Sequence, residues 1–131
     1  MNEPTNSFYS DERLFRAVPI GHPVMFDKNG NVTSAIFQDS QGVSVDREWH
    51  RSTQEAVETL RKRLSQIKGK EPSDYRVISV TKADCDSIGA VCVYAPEQDN
   101  AYHSLIERTA EIPKLTKGQA RALVKLAQLV Y

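Results

Sequence analysis

Several things are scarce in this chain, and each scarcity excludes a class. Cysteine appears only at Cys85 and Cys92, too few for a disulfide scaffold, and a reducing compartment argues against a bridge between them. No apolar run is long enough to cross a bilayer. The opening residues, MNEPTNSFYSDE, are polar and acidic and lack the apolar core of a signal peptide, so the expected location is the cytoplasm. Seventeen Lys and Arg against seventeen Asp and Glu leave no net charge, hence no whole-molecule field toward nucleic acid or an acidic membrane. There is no Walker loop, no Gly-x-Gly-x-x-Gly and no Gly-x-Ser-x-Gly elbow. His22, His50 and His103 share no helix turn, and the two cysteines are seven apart, so neither a metal nor a cofactor is expected.

What is present is one domain's worth of chain, 131 residues, able to bury roughly two-thirds of its unfolded surface. Residues 1–11 read as a flexible lead-in and 12–131 as a single domain. The run LFRAV at 14–18, closed by Pro19, reads as a short edge strand. Residues 32–37 are ambiguous between strand and helix. Gly42 releases a strand at 43–46, with Val43 and Val45 on one face and Ser44 on the other.

A helix follows over about 52–68. Ser52 and Glu55 have capping-box spacing, Val57, Leu60, Leu64 and Ile67 form one apolar stripe, and Gly69 is a stop. Its basic residues, Arg61, Lys62, Arg63, Lys68 and Lys70, read as a solvated face complementing the helix dipole. The β-branched runs at 75–81 and 90–95 read as strands, antiparallel to each other if paired, because only KADCDSIG joins them. That link holds a helical turn capped by Thr81 and ended by Gly89. The longer passage from 43–46 through the helix to Tyr75 suits a right-handed parallel unit. AYHSLIER at 101–108 reads as a short helix capped by Asn100. The last helix starts at Thr116, with Gln119 as its capping partner, and runs to about 130 with two apolar stripes. One stripe is expected on the domain and the other under residues 14–26 or a second chain. The fold expected is therefore α+β: a small mixed sheet of about three to five strands with two main helices.

The densest chemistry lies in residues 27–51, which end in Asp46, Arg47, Glu48, Trp49, His50 and Arg51. Trp49 among cations can serve a base or nucleotide, but the adopted reading is a surface segment leading into the helix. Nucleophilic catalysis needs a nucleophile beside a base; Ser40, Ser44, Cys85 and His103 supply the side chains, with Cys85 disfavoured between Asp84 and Asp86. Arg16 lies on the first strand, Asp46 and Arg47 end the second, and His103 follows the last. Strand ends bound a crevice where these residues could converge, with Arg47 beside His103; the reading weighed against it has Asp46 and Arg47 capping the adjoining turn and helix and His103 packed elsewhere.

Gly30-x-Val32-x-Ser34-x-x-Phe37-x-x-Ser40-x-Gly42-Val43-Ser44-Val45-Asp46-Arg47, then Ala101-x-His103-x-x-Ile106, resembles a pattern in short, uncharacterised bacterial proteins. Leu14-Phe15-Arg16 is similar to their opening, and the likeness spans residues 14 to about 127. It carries no activity, but implies a bacterial origin and adds weight to Arg16, Ser44, Asp46, Arg47 and His103 as binding residues. A fainter similarity runs to small ADP-ribosyltransferase-type toxins, in which an arginine in a first strand holds NAD; no acidic catalytic motif can be placed here. The leading expectation is a bacterial cytoplasmic binding or accessory protein acting through a protein partner, or self-associating through its C-terminal helix. The alternative is a small enzyme or binder acting on a nucleotide, NAD or RNA through an Arg/His site.

Overall fold

The structure is a computed structural model and describes residues 3–131; the first two residues of the expected lead-in lie outside it. A single sheet forms the centre. Its strands are β1 (Arg13–Pro19), β2 (Val43–Arg47), β3 (Tyr75–Thr81), β4 (Val91–Tyr94), β5 (His103–Glu107) and β6 (Gln128–Leu129). Their spatial order is β4-β5-β2-β1-β3-β6. Every neighbouring pair is antiparallel, so the expected mixed sheet of three to five strands is a six-stranded antiparallel one.

Three helices flank it: α1 (Thr53–Lys68), α2 (Lys82–Ser87) and α3 (Lys117–Leu126). Ser52, Thr81 and Thr116 cap them, each in a complete capping box, and Gly69 closes α1 in the left-handed conformation at φ 67°. The ambiguous stretch before Gly42 contains a 3₁₀ turn, Ser34–Phe37. On one face Phe15, Tyr75 and Val77 pack against Ala56, Val57 and Leu60 of α1. On the other, Leu14, Val18, Val43, Val45, Ile78 and Ile106 pack with Phe37 and with Ala120 and Leu123 of α3.

Several expectations are corrected. β1 is central, not an edge, because both β2 and β3 claim it. β3 and β4 do not pair: β3 lies between β1 and β6, and β4 pairs β5. β2 and β3 are each antiparallel to β1, so they run parallel with β1 between them, and α1 crosses that strand.

The segment expected as a helix after Asn100 is β5. Asn100 does not cap; its amide nitrogen donates to Asp46 at 2.8 Å, and its side-chain oxygen accepts from the Tyr102 backbone at 3.1 Å. Ser104 and Ile106 are then fully buried on one face, the period of a strand. The last helix stops at Leu126, where Ala127 turns extended. Gln128 and Leu129 join β3, and Val130 and Tyr131 pack on the α1 face. Splitting the segment between helix and strand serves both sides of the sheet. Residues 14–26 do not cover a second stripe, and Leu126 and Leu129 stay exposed.

Candidate functional site

The site begins with a defect in the sheet. β1 pairs β3 at seven positions but β2 at only two, Leu14 with Arg47 and Phe15 with Asp46. Beyond Phe15 the two central strands part. The backbone bonds from Glu48 to Arg13 and from Arg47 to Tyr102 fix which groups face where. Alternation along the ladder then turns the backbone of Ala17 and Ser44 toward the opening.

Arg16 fills it from within. Its guanidinium donates to the Ser44 carbonyl at 2.9 Å and to both oxygens of Asp39 at 3.0 and 2.9 Å. Asp39 comes from the turn that Gly42 completes at φ 93°, where a Cβ would lie 3.3 Å from Glu107. The Nε of Arg16 is buried with no hydrogen-bond partner.

Over this opening lies a cleft of about 270 Å³. Its apolar side is Phe15, Ala17, Leu60 and Leu64; its polar rim is Arg16, Ser44, Asp46, Arg63, Lys68, Glu97 and His103. Two strands aim the centre of that rim. Asp46 on β2 stands opposite His103 on β5, so both side chains share the α1 face with Ser44. His103 Nδ1 lies 2.7 Å from the Ala95 carbonyl and Nε2 lies 3.2 Å from Ser44 Oγ. A carbonyl only accepts, so Nδ1 carries the proton and Nε2 accepts from the serine hydroxyl. Glu97 reaches within 4.0 Å of Nε2. Asp46 is nearly buried, held by Asn100, and Arg63 approaches both its oxygens at only 3.4 Å. Arg63 therefore remains a donor that a better anion can capture.

Arg47 is elsewhere. It shares the parity of Val43 and Val45 and points to the opposite face, fully buried. Its Nε and Nη2 donate to Glu12 at 2.7 and 2.9 Å, Nη2 also to the Ser7 carbonyl at 2.6 Å, and Nη1 to the Thr5 carbonyl. The ring of Phe8 lies 3.9 Å from its guanidinium carbon and that of Trp49 4.7 Å. Arg47 thus fastens residues 5–12 to the sheet, and its expected approach to His103 does not occur. Trp49 and His50 belong to the same fastening. Both have positive φ, 43° and 60°, and in that turn the Trp49 N–H donates to Glu12 and the His50 N–H to the Tyr9 hydroxyl.

Of the five expected site residues, Arg16, Ser44, Asp46 and His103 meet and Arg47 does not. Arg63, Lys68 and Glu97 were not anticipated. A signal for the first two existed: Leu60, Arg63, Leu64 and Lys68 fall at helical spacing on the edge of the apolar stripe. Among the described residues no group of three or more His, Cys, Asp or Glu could hold a metal ion, and no helix is long and apolar enough to cross a membrane. No family model, no curated protein and no solved structure matches this chain.

Proposed function

We propose that the cleft binds a small phosphate-bearing ligand of the nucleotide class, with NAD the first candidate. The observation that carries this is the meeting of Arg16, Arg63 and Lys68 around an opening of the sheet that is apolar on one side. Phosphates want forked or multiple cationic donors; a base or nicotinamide ring wants apolar walls. Arg16 stands on the first strand, the place where the likeness to ADP-ribosyltransferase-type toxins puts the arginine that holds NAD. The test is calorimetric titration with NAD, ADP-ribose and AMP. Micromolar to millimolar binding is expected, weakened at least tenfold in Arg63→Ala with Lys68→Ala. Equal affinity in that double variant removes the reading.

A second reading keeps the protein partner. Leu129 is 66 % exposed on β6, the edge strand of the sheet, beside a groove lined by Phe26, Val32, Val124 and Ala127. An apolar edge is where another chain adds a strand or packs a helix. Sedimentation of the protein and of Leu129→Glu tests it. A concentration-dependent dimer lost in the variant supports self-association; monomers in both remove it.

A further inference from the structure

We propose that Ser44 and His103 are a nucleophile and its base, and that together they cleave the phosphoanhydride of the nucleotide bound in the cleft. The substrate class rests on the nucleotide reading above; the pair itself rests on geometry alone.

A serine hydroxyl is a weak nucleophile unless a base lies within hydrogen-bond reach and a third group orients that base. All three parts are here. Ser44 Oγ is 3.2 Å from His103 Nε2, and the Ala95 carbonyl, 2.7 Å from Nδ1, fixes the tautomer that leaves the Nε2 lone pair free to accept. The order is nucleophile, imidazole, acceptor, with a backbone carbonyl at the third place. The pair is open to a substrate, because Ser44 is exposed. It is also rigid. Ser44 sits in register with Leu105, and the Arg16 guanidinium grips its carbonyl. Glu97, 4.0 Å from Nε2, supplies a counter-charge for the imidazolium that forms. The other charged groups bordering the cleft are Asp46 from β2, Arg16 from β1, and Arg63 and Lys68 from α1.

Those cations favour phosphorus over an acyl carbon, because a transferring phosphoryl group carries its negative charge on the oxygens that cationic groups clamp. In the first step the Ser44 Oγ–P bond forms and the bridging P–O bond breaks. The electron pair leaves with the departing phosphate, and the hydroxyl proton passes to His103 Nε2. His103 hands that proton to the departing phosphate. Water then attacks the phosphorus of the serine-bound nucleotide diester, giving a proton to His103, which returns it to Ser44 Oγ as the P–Oγ bond breaks and the second product leaves. For NAD the products are AMP and nicotinamide mononucleotide; for ADP-ribose they are AMP and ribose phosphate.

The experiment has two arms on the purified full chain. In the first, a fluorophosphonate probe is added and the labelled residue is found by peptide mass. Label on Ser44 is expected, absent in Ser44→Ala and slowed at least a hundredfold in His103→Gln. The pH dependence of labelling should vanish in His103→Gln, with both melting temperatures near that of the parent. Label elsewhere, no label, or equal labelling of His103→Gln overturns the pair. In the second arm, NAD and ADP-ribose are incubated with the protein and AMP is followed by chromatography, beside the calorimetric titrations. Binding without Ser44 labelling overturns the pair and leaves the nucleotide reading standing. Labelling without nucleotide binding or AMP release supports the pair and overturns the substrate.

Discussion

The Arg47 side chain makes four hydrogen bonds, and all of them go to groups of the chain's own residues 5–12. Its partner Glu12 accepts from two of its nitrogens and from the backbone of Trp49 and Tyr9, so the carboxylate is buried and fully satisfied. Removing one member of such a pair strands a charge. Glu12→Gln is expected to cost about 3–5 kcal/mol of unfolding free energy, read from urea melts. A loss under about 1 kcal/mol would show that the pair opens to water. The sequence carried a warning about Arg47. In VSVDR its parity is that of the buried valines, while Ser44 and Asp46 have the other parity. Within β2, period-two reading alone separates Arg47 from Ser44 and Asp46; the density of polar groups at 46–51 obscured it.

The residue scale also fixes an alkaline limit. The hydrogen bond with Cys92 first, and burial second, push the Cys85 thiol far above its ordinary value of 9.0. Burial foremost raises the Tyr9 and Tyr94 hydroxyls above 10.0. A group with a raised folded value binds its proton more tightly when folded. Its contribution is fully present below the unfolded value and is lost as pH climbs toward the folded one. The melting temperature should therefore be level approaching pH 9 and fall steadily above it. Tyr9→Phe should flatten the part of that fall above pH 10. For the same reason, iodoacetamide at pH 8 should alkylate Cys92 in the native protein and Cys85 only after unfolding. Equal rates at the two thiols would contradict the packing of Cys85 in the core.

At the scale of elements, α1 was legible because three local signals agree: the Ser52–Glu55 box, the apolar stripe and Gly69. Ser52→Ala should lower stability by about 1 kcal/mol, the usual loss of a cap, measured by urea denaturation. A change within error would mean that tertiary packing alone sets the start of the helix. β5 was not legible. In AYHSLIER the adjacent Leu105 and Ile106 fit a helix face as well as the two sides of a strand, and eight residues are too few for period to decide. What decides is distant: β2 offers a four-position ladder to this segment, and Asp46, 54 residues before Asn100, holds the Asn100 amide nitrogen at its start. The C-terminal segment failed for a related reason. Its apolar surface matches a fully buried helix, yet β3 offers an unpaired edge, and the chain leaves the helix at Ala127 to fill it.

For the whole molecule, the weak β1–β2 seam matters most. The strand order divides there into two halves, β4-β5-β2 and β1-β3-β6, joined at the seam by two paired positions, by the bonds between Arg13 and Glu48 next to them and by the Arg16 bridge. Ser44, Asp46 and His103 belong to one half; Phe15, Arg16 and Ala17 belong to the other, and α1 spans the cleft with Arg63 and Lys68. A ligand in the cleft must therefore tie the halves together. Hydrogen exchange reads this directly, because amides at a poorly paired seam open by local fluctuation, at less cost than global unfolding. Without ligand, the amides of Ala17 and Ser44 should exchange much faster than those of Ile78 and Val80, which face β1 in the seven-position β1–β3 ladder. With saturating NAD, protection should rise at 16–17, 44–46 and 60–68 and stay unchanged in α3, on the other face of the sheet. Arg16→Lys replaces a planar fork with a point charge that cannot hold Asp39 and the Ser44 carbonyl together. It should speed exchange at the seam without ligand and weaken NAD binding several-fold. Uniform protection by NAD across the sheet would point to general stabilisation, and protection confined to the β6 edge would move the ligand away from the cleft.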